Sequence, residues 1–368
     1  MNAATLFPAP VAVLDSTVVM GAPGSDYAWQ MEDQTCTSTW NGTAWLPASP
    51  LPVPQTGGLE VGGAVALQGS LAALGAPADV NQAGVATGSV TVLTPNGNQW
   101  VPQARLIPAD GTAGGRFGLG VALDGDTLVV GARDKSYVYQ RSGSSWVETA
   151  ILNDPNPEES NGLVRAVAIK GGLIAVGVPY SNEAEGRVHL YSRTAGNWQR
   201  TATLNPGDLR RREKFGAAVA IMSDLIIVGT NQGRAFLPTT PAPSPRVHVF
   251  KPAGGSGWIR TATLLPTVPV QTFGSGLAVS GSSVLVGGTL KPVDGETRLV
   301  AGFDFQWKAG KWTGGKVLMS APGYDLRAVA YEEHKALLSH DEVGLVDVFG
   351  SSGGAWSARA QLEEYRQP

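Results

Sequence analysis

Four basic side chains, Arg116, Arg165, Lys214 and Arg327, stand at matching places in a pattern that repeats about every fifty residues. Each lies just before or just inside a short apolar run. A charge there must meet an acid or water, because burying it alone is costly. Two readings follow. One is a structural ion pair or a water-filled channel. The other is a site where these cations bind an anionic or hydroxyl-rich ligand, for which the planar guanidinium fork is suited. Glu60 and Tyr324 occupy the same register as Arg116 and Lys214 in other repeats and join this ligand-binding set. Trp29, beside Tyr27 and outside every repeat position, adds an aromatic face of the kind that stacks on sugar rings and apolar surfaces. His340 and Asp325, with Asp341, are candidates for an acid/base pair. Their spacing matches no H-E-x-x-H or comparable motif, so no metal site is expected.

Several other groups read as structural. His189 and His248 occupy equivalent strand positions, and His334 lies in a turn on the opposite face. The run Arg210-Arg211-Arg212-Glu213-Lys214 reads as a solvated loop, and residues 238–245 as an extended proline-rich spacer. Asn41-Gly42-Thr43 matches a glycosylation sequon but reads better as a hairpin turn.

The composition narrows the classes of function. With 27 basic and 30 acidic residues the net charge is −3, too small for electrostatic capture of nucleic acid. The single cysteine, Cys36, excludes an intramolecular disulfide and a thiolate-rich zinc site. No stretch of eighteen apolar residues occurs, so membrane insertion is not expected, and neither is a cofactor. Met1 to Pro8 has no basic segment followed by an apolar one, so no signal peptide is read in this chain: it is made without one, or one has been removed. A monomer is expected.

What must position these residues is legible in the repeats. Gly 48 and Pro 25 in 368 residues mark a turn-rich chain. Seven tryptophans, Trp45, Trp100, Trp146, Trp198, Trp258, Trp312 and Trp356, recur at intervals of 44 to 60 residues, usually with Ala four and Leu six residues on. Between them two apolar runs flank a tight turn, most clearly from Phe117 to Ala132, which reads as a β-hairpin. A third strand follows, and the tryptophan segment is the fourth. Four strands a, b, c and d per repeat predict an all-β, seven-bladed β-propeller of four-stranded antiparallel blades, in one domain over 1–368. The blades are placed at about 7–51, 58–106, 115–152, 161–204, 213–264, 271–318 and 323–362. Blade 7 then owns all four of its strands and closes the ring by packing on blade 1; the alternative is a terminal strand exchanged as a clasp. The Phe-Gly stretches are placed on strand a. The tryptophans are read as inter-blade core, where truncation to Ala costs roughly 3–5 kcal/mol.

The Phe-Gly positions, the Gly-Ala or Gly-Ala-Pro after strand b (Gly21-Ala22-Pro23, Gly75-Ala76-Pro77, Gly131-Ala132) and the Trp, Ala, Leu segment together resemble the FG-GAP repeats of integrin α-subunit-type propellers. The resemblance implies a seven-bladed propeller used mostly for binding, commonly outside the cell, in proteins that include adhesion receptors and some lectins. It departs from that family in lacking a D-x-D-x-D-G calcium loop, and Asp124-Gly125-Asp126 reads as turn chemistry. The expected function is non-enzymatic recognition of a glycan or a polypeptide through the loop-rich face and the channel mouth. The alternative is an enzyme acting there on a small polar or acidic substrate.

Overall fold

The computed structural model describes residues 10–21, 35–53, 60–97, 99–157, 162–164, 166–231, 245–255, 257–291, 299–322, 326–340, 345–352 and 355–363. Seven antiparallel sheets of four strands follow one another along the chain, each in the order a, b, c, d. Blade 3 is representative, with strands Gly120–Asp124, Thr127–Gly131, Lys135–Ser142 and Ser145–Asn153. The innermost strands touch in sequence order around the ring, and strand a of blade 7 (Leu326–Glu332) meets strand a of blade 1 (Val11–Leu14). Among the described residues the ring therefore closes by blade packing, with no strand exchanged between the ends. The helical turn Ser181–Ala184 has left-handed φ values of 48°, 57° and 63° at Asn182, Glu183 and Ala184.

The core is divided among the seams between blades. Seven apolar clusters each join two neighbouring blades, as Leu71, Val90 and Leu106 of blade 2 join Leu128, Val130 and Tyr139 of blade 3. One repeat tryptophan borders each cluster. Its placement corrects the expected energetics. Among the seven only Trp146 is buried, at 9% exposure, and the others are half-buried at the outer rim. The fully buried aromatics include the phenylalanines of the Phe-Gly positions, Phe117, Phe215 and Phe273.

These phenylalanines also correct the predicted strand boundaries. In blades 3 and 5 strand a begins only at Gly120 and Ala218, so Phe117-Gly118 and Phe215-Gly216 form a loop ahead of it. In blade 6 Phe273 lies within the strand Val270–Ser280, beside a break in register. The glycines Gly118, Gly216 and Gly274 have φ near +90°, which L side chains rarely adopt. Their carbonyls press on a glycine at or next to the end of strand b of the preceding blade. A Cβ at Gly75, Gly177 or Gly229 would lie 2.1, 2.1 or 2.0 Å from the carbonyl oxygen of Gly118, Gly216 or Gly274. Both glycines of the repeat thus serve one close backbone approach between blades.

Candidate functional site

Three of the candidates come to one structural position on the d–a loops that enter blades 2, 3 and 5. Glu60, Arg116 and Lys214 each precede the Phe-Gly loop or its equivalent, with φ of 76°, 52° and 53°. Blade 4 has Gly162 at this place, with φ of 67°. Left-handed backbone costs a residue with a side chain roughly 1–2 kcal/mol relative to glycine. Glu60 is buried at 6% exposure, and Arg116 Nη1 reaches its Oε2 at 3.4 Å across the seam between blades 2 and 3. Lys214 Nζ stands 5.1 Å over the Tyr180 ring. Glu213 beside it is fully buried and accepts from Arg246, so the basic run 210–214 is only in part the solvated loop expected.

The structure separates the remaining candidates. Arg327 lies on strand a of blade 7 and is the extra residue of a β-bulge between Leu326 and Ala328. His340 ends strand b of that blade and pairs in register with Leu326. Arg165, Tyr324, Asp325 and Trp29 lie outside the described residues, as do Asp341 and most of the long b–c loops of blades 1, 5 and 6.

A second constellation on the loop-rich face escaped the sequence reading. Carboxylates on the loops entering blades 3, 4 and 5 clip onto strands of the blade that follows. Asp110 accepts from Tyr137 Oη at 2.7 Å and from Lys135 Nζ. Asp154, 8% exposed, lies 3.7 Å from Nε2 of the buried His189. Asp208 receives Arg246 at 3.0 Å and Arg260 at 2.7 Å. Two of the three share a readable signal, Leu-x-Pro-x-Asp, at Leu106 to Asp110 and Leu204 to Asp208.

Around the first two clips lies a cleft of about 410 Å³ lined by Asp110, Arg133, Asp134, Lys135, Tyr137 and Asp154. Its titrations are set by opposed effects. Partial burial pushes the Asp110 carboxyl up, but hydrogen bonds from Lys135 and Tyr137 outweigh this and hold it below the ordinary carboxylate range. Burial, and then the hydrogen bond to Asp110, pushes the Tyr137 phenol well above its usual value. Asp134 fills the space over Gly162, where a Cβ would meet its Oδ1 at 1.6 Å. Burial raises the Asp134 carboxyl, and the nearby Asp154 adds to the effect. The cleft offers fixed donors and acceptors. Asp110 is already engaged by two donors, which suits it to hold geometry more than to take up a proton.

Residues 100–147, from strand d of blade 2 into strand d of blade 3, match the FG-GAP repeat family. The chain carries an FG-GAP repeat. No curated protein matches the sequence. Among solved structures, this propeller is similar to a putative 6-phosphogluconolactonase from Bacteroides uniformis, with a TM-score of 0.63 and 12% identity over 95% of this chain and 97% of that one. A second putative 6-phosphogluconolactonase, from Bacteroides fragilis, gives 0.61 and 13% over 95% and 96%. The mitotic checkpoint complex gives 0.50 and 12% over 80% and 74%. At such identities the likeness is one of fold, and one scaffold serves unrelated functions.

Proposed function

We propose that this protein is a non-enzymatic recognition module that binds a glycan or a polypeptide on the loop-rich face, around the channel mouth. The observation that carries the reading is the backbone at Glu60, Arg116 and Lys214. These blades place a charged side chain where blade 4 has glycine, and strain retained in this way clusters at functional positions. The polar cleft beside Arg116 extends the same surface, and the FG-GAP repeat fits a binding role. Arg165, Arg327, Tyr324 and Trp29 complete the proposed binding set.

A combined glycan and peptide array with the full chain tests the reading, repeated with Arg165→Ala plus Arg327→Ala and with Trp29→Ala. Recognition predicts retained ligands whose binding falls in at least one of these variants, with no ligand consumed. Turnover of a sugar lactone or another small acidic substrate, lost with His340→Ala or Asp325→Asn, would favour the enzyme instead.

A further inference from the structure

A wide groove borders the seam that closes the ring, away from the residues assigned above. Strand d of blade 1 is only Ser49–Pro50, whereas the other blades have seven to twelve residues there. The chain from Trp40 to Ala48 and strand d of blade 7 (Ala355–Glu363) border a groove of about 1070 Å³. One wall is aromatic. Asn41 Oδ1 accepts the backbone N–H groups of Thr43 and Ala44, closing the turn that sets Trp40 opposite Trp45 with ring centroids 5.8 Å apart. Leu46 beside them is 45% exposed.

The other wall carries Arg359 and Gln361 over Phe349 and Gly350. The Arg359 side chain lies over Gly350, where a Cβ would come within 2.9 Å of its Nε and 3.0 Å of its Cγ. Among the described residues no ion pair engages Arg359, and no carboxylate lines the groove. The other cation, Lys335, is taken by Glu332 and by the carbonyl of Asp15. His334 Nδ1 is shared with Ser351 Oγ at 3.0 Å, and Gln361 Nε2 donates to Asp347 at 2.9 Å.

From this groove we infer a second ligand site, one that takes a carboxylate-bearing sugar. The C–H face of a pyranose suits the negative face of an aromatic ring, and the tryptophan wall supplies one. A guanidinium that no described carboxylate engages takes a ligand carboxylate through paired N–H bonds. A neutral glycan would leave that guanidinium unused, and an extended polypeptide has no rigid apolar ring face to lay on the tryptophans.

The test is an array of sialylated, glucuronylated and galacturonylated oligosaccharides, each beside its carboxyl-reduced counterpart, probed with the full chain. The site predicts roughly tenfold or greater preference for the carboxylate form. Arg359→Gln, at an exposed position, should erase the preference without lowering the melting temperature. Gly350→Ala should weaken it too, because the new Cβ displaces the guanidinium and this glycine has no left-handed φ. Trp40→Ala should remove binding of both forms. Absence of any acidic ligand, equal binding of reduced forms, or an undiminished preference in Arg359→Gln would overturn the inference. Loop-face ligands should bind Arg359→Gln normally, which keeps the two sites distinguishable.

Discussion

His248 shows how one side chain sets a solution property of the whole protein. It is fully buried, with its ring edge-to-face on Phe215 at 5.5 Å and its Nδ1 3.5 Å from Arg260 Nη1. Burial, then the charges of Arg246 and Arg260, push the imidazole down from 6.5 to about 4. The unfolded chain takes up a proton near pH 6.5 that the folded chain refuses until about pH 4. This stabilisation is full above the first value and is lost as the pH falls toward the second, up to about 3 kcal/mol. Urea midpoints at pH 7 and pH 4.5 should therefore differ more in the wild type than in His248→Gln. An equal drop in both would place the acid sensitivity elsewhere. Tyr137→Phe, which removes the donor to Asp110 from a residue 1% exposed, should cost about 1–2 kcal/mol by the same measurement. At this scale the sequence was least informative. Neither the clip at Asp154 nor the pairing of Arg116 with Glu60 follows from residue types, because both depend on the register of one blade against the next.

At the scale of the elements, the strands were legible because alternation and turn residues encode them locally. Where strand a begins was not. The Phe-Gly pair continues an apolar run, yet the inter-blade approach of Gly118 and Gly75 bends Phe117 out of the strand and into the seam. Gly177→Ala, at a position without left-handed φ, should cost at least the 1–3 kcal/mol typical of overpacking, since its Cβ would stand 2.1 Å from a backbone carbonyl. Phe215→Ala should cost roughly 3–5 kcal/mol, and Trp198→Ala, at the half-exposed rim, clearly less. Thermal melts of the two aromatic variants test the reassignment directly. A larger loss from Trp198→Ala would restore the tryptophan to the core.

Across the whole molecule, the seven a–b turns form a second ring on the face opposite the loops. The first turn residue has φ between 45° and 57° in every blade, at Asp15, Gly69, Gly125, Gly171, Ser223, Gly281 and Glu333. Where strand a ends in an acceptor, that side chain takes the turn N–H of the next blade. Gly125 donates to Gln68 and Gly171 to Asp124, both at 2.7 Å. Glu333 donates to Ser280 at 2.7 Å, and Asp15 donates to Glu332 at 2.8 Å, across the closing seam. Leu14, Lys170 and Met222 stand at the same position and offer no oxygen. Lys170→Asp should supply one link and add about 0.5–1.5 kcal/mol, measurable as a higher urea midpoint. The seven-fold repeat and its closure were readable from spacing alone. The groove at that closure was not, because it arises from the shortening of a single strand beside Pro47 and Pro50.

The central claim, that charged residues at the channel mouth are kept for a ligand and not for stability, meets its most direct test in Arg116→Gly combined with Lys214→Gly, with Glu60→Gln added so that the buried carboxylate paired with Arg116 is not left charged. Glycine suits the left-handed backbone at both places, so the account predicts a melting temperature held or raised, together with at least tenfold weaker binding of a loop-face ligand. A fall in melting temperature with binding intact would contradict it and leave these charges as structural ties between blades.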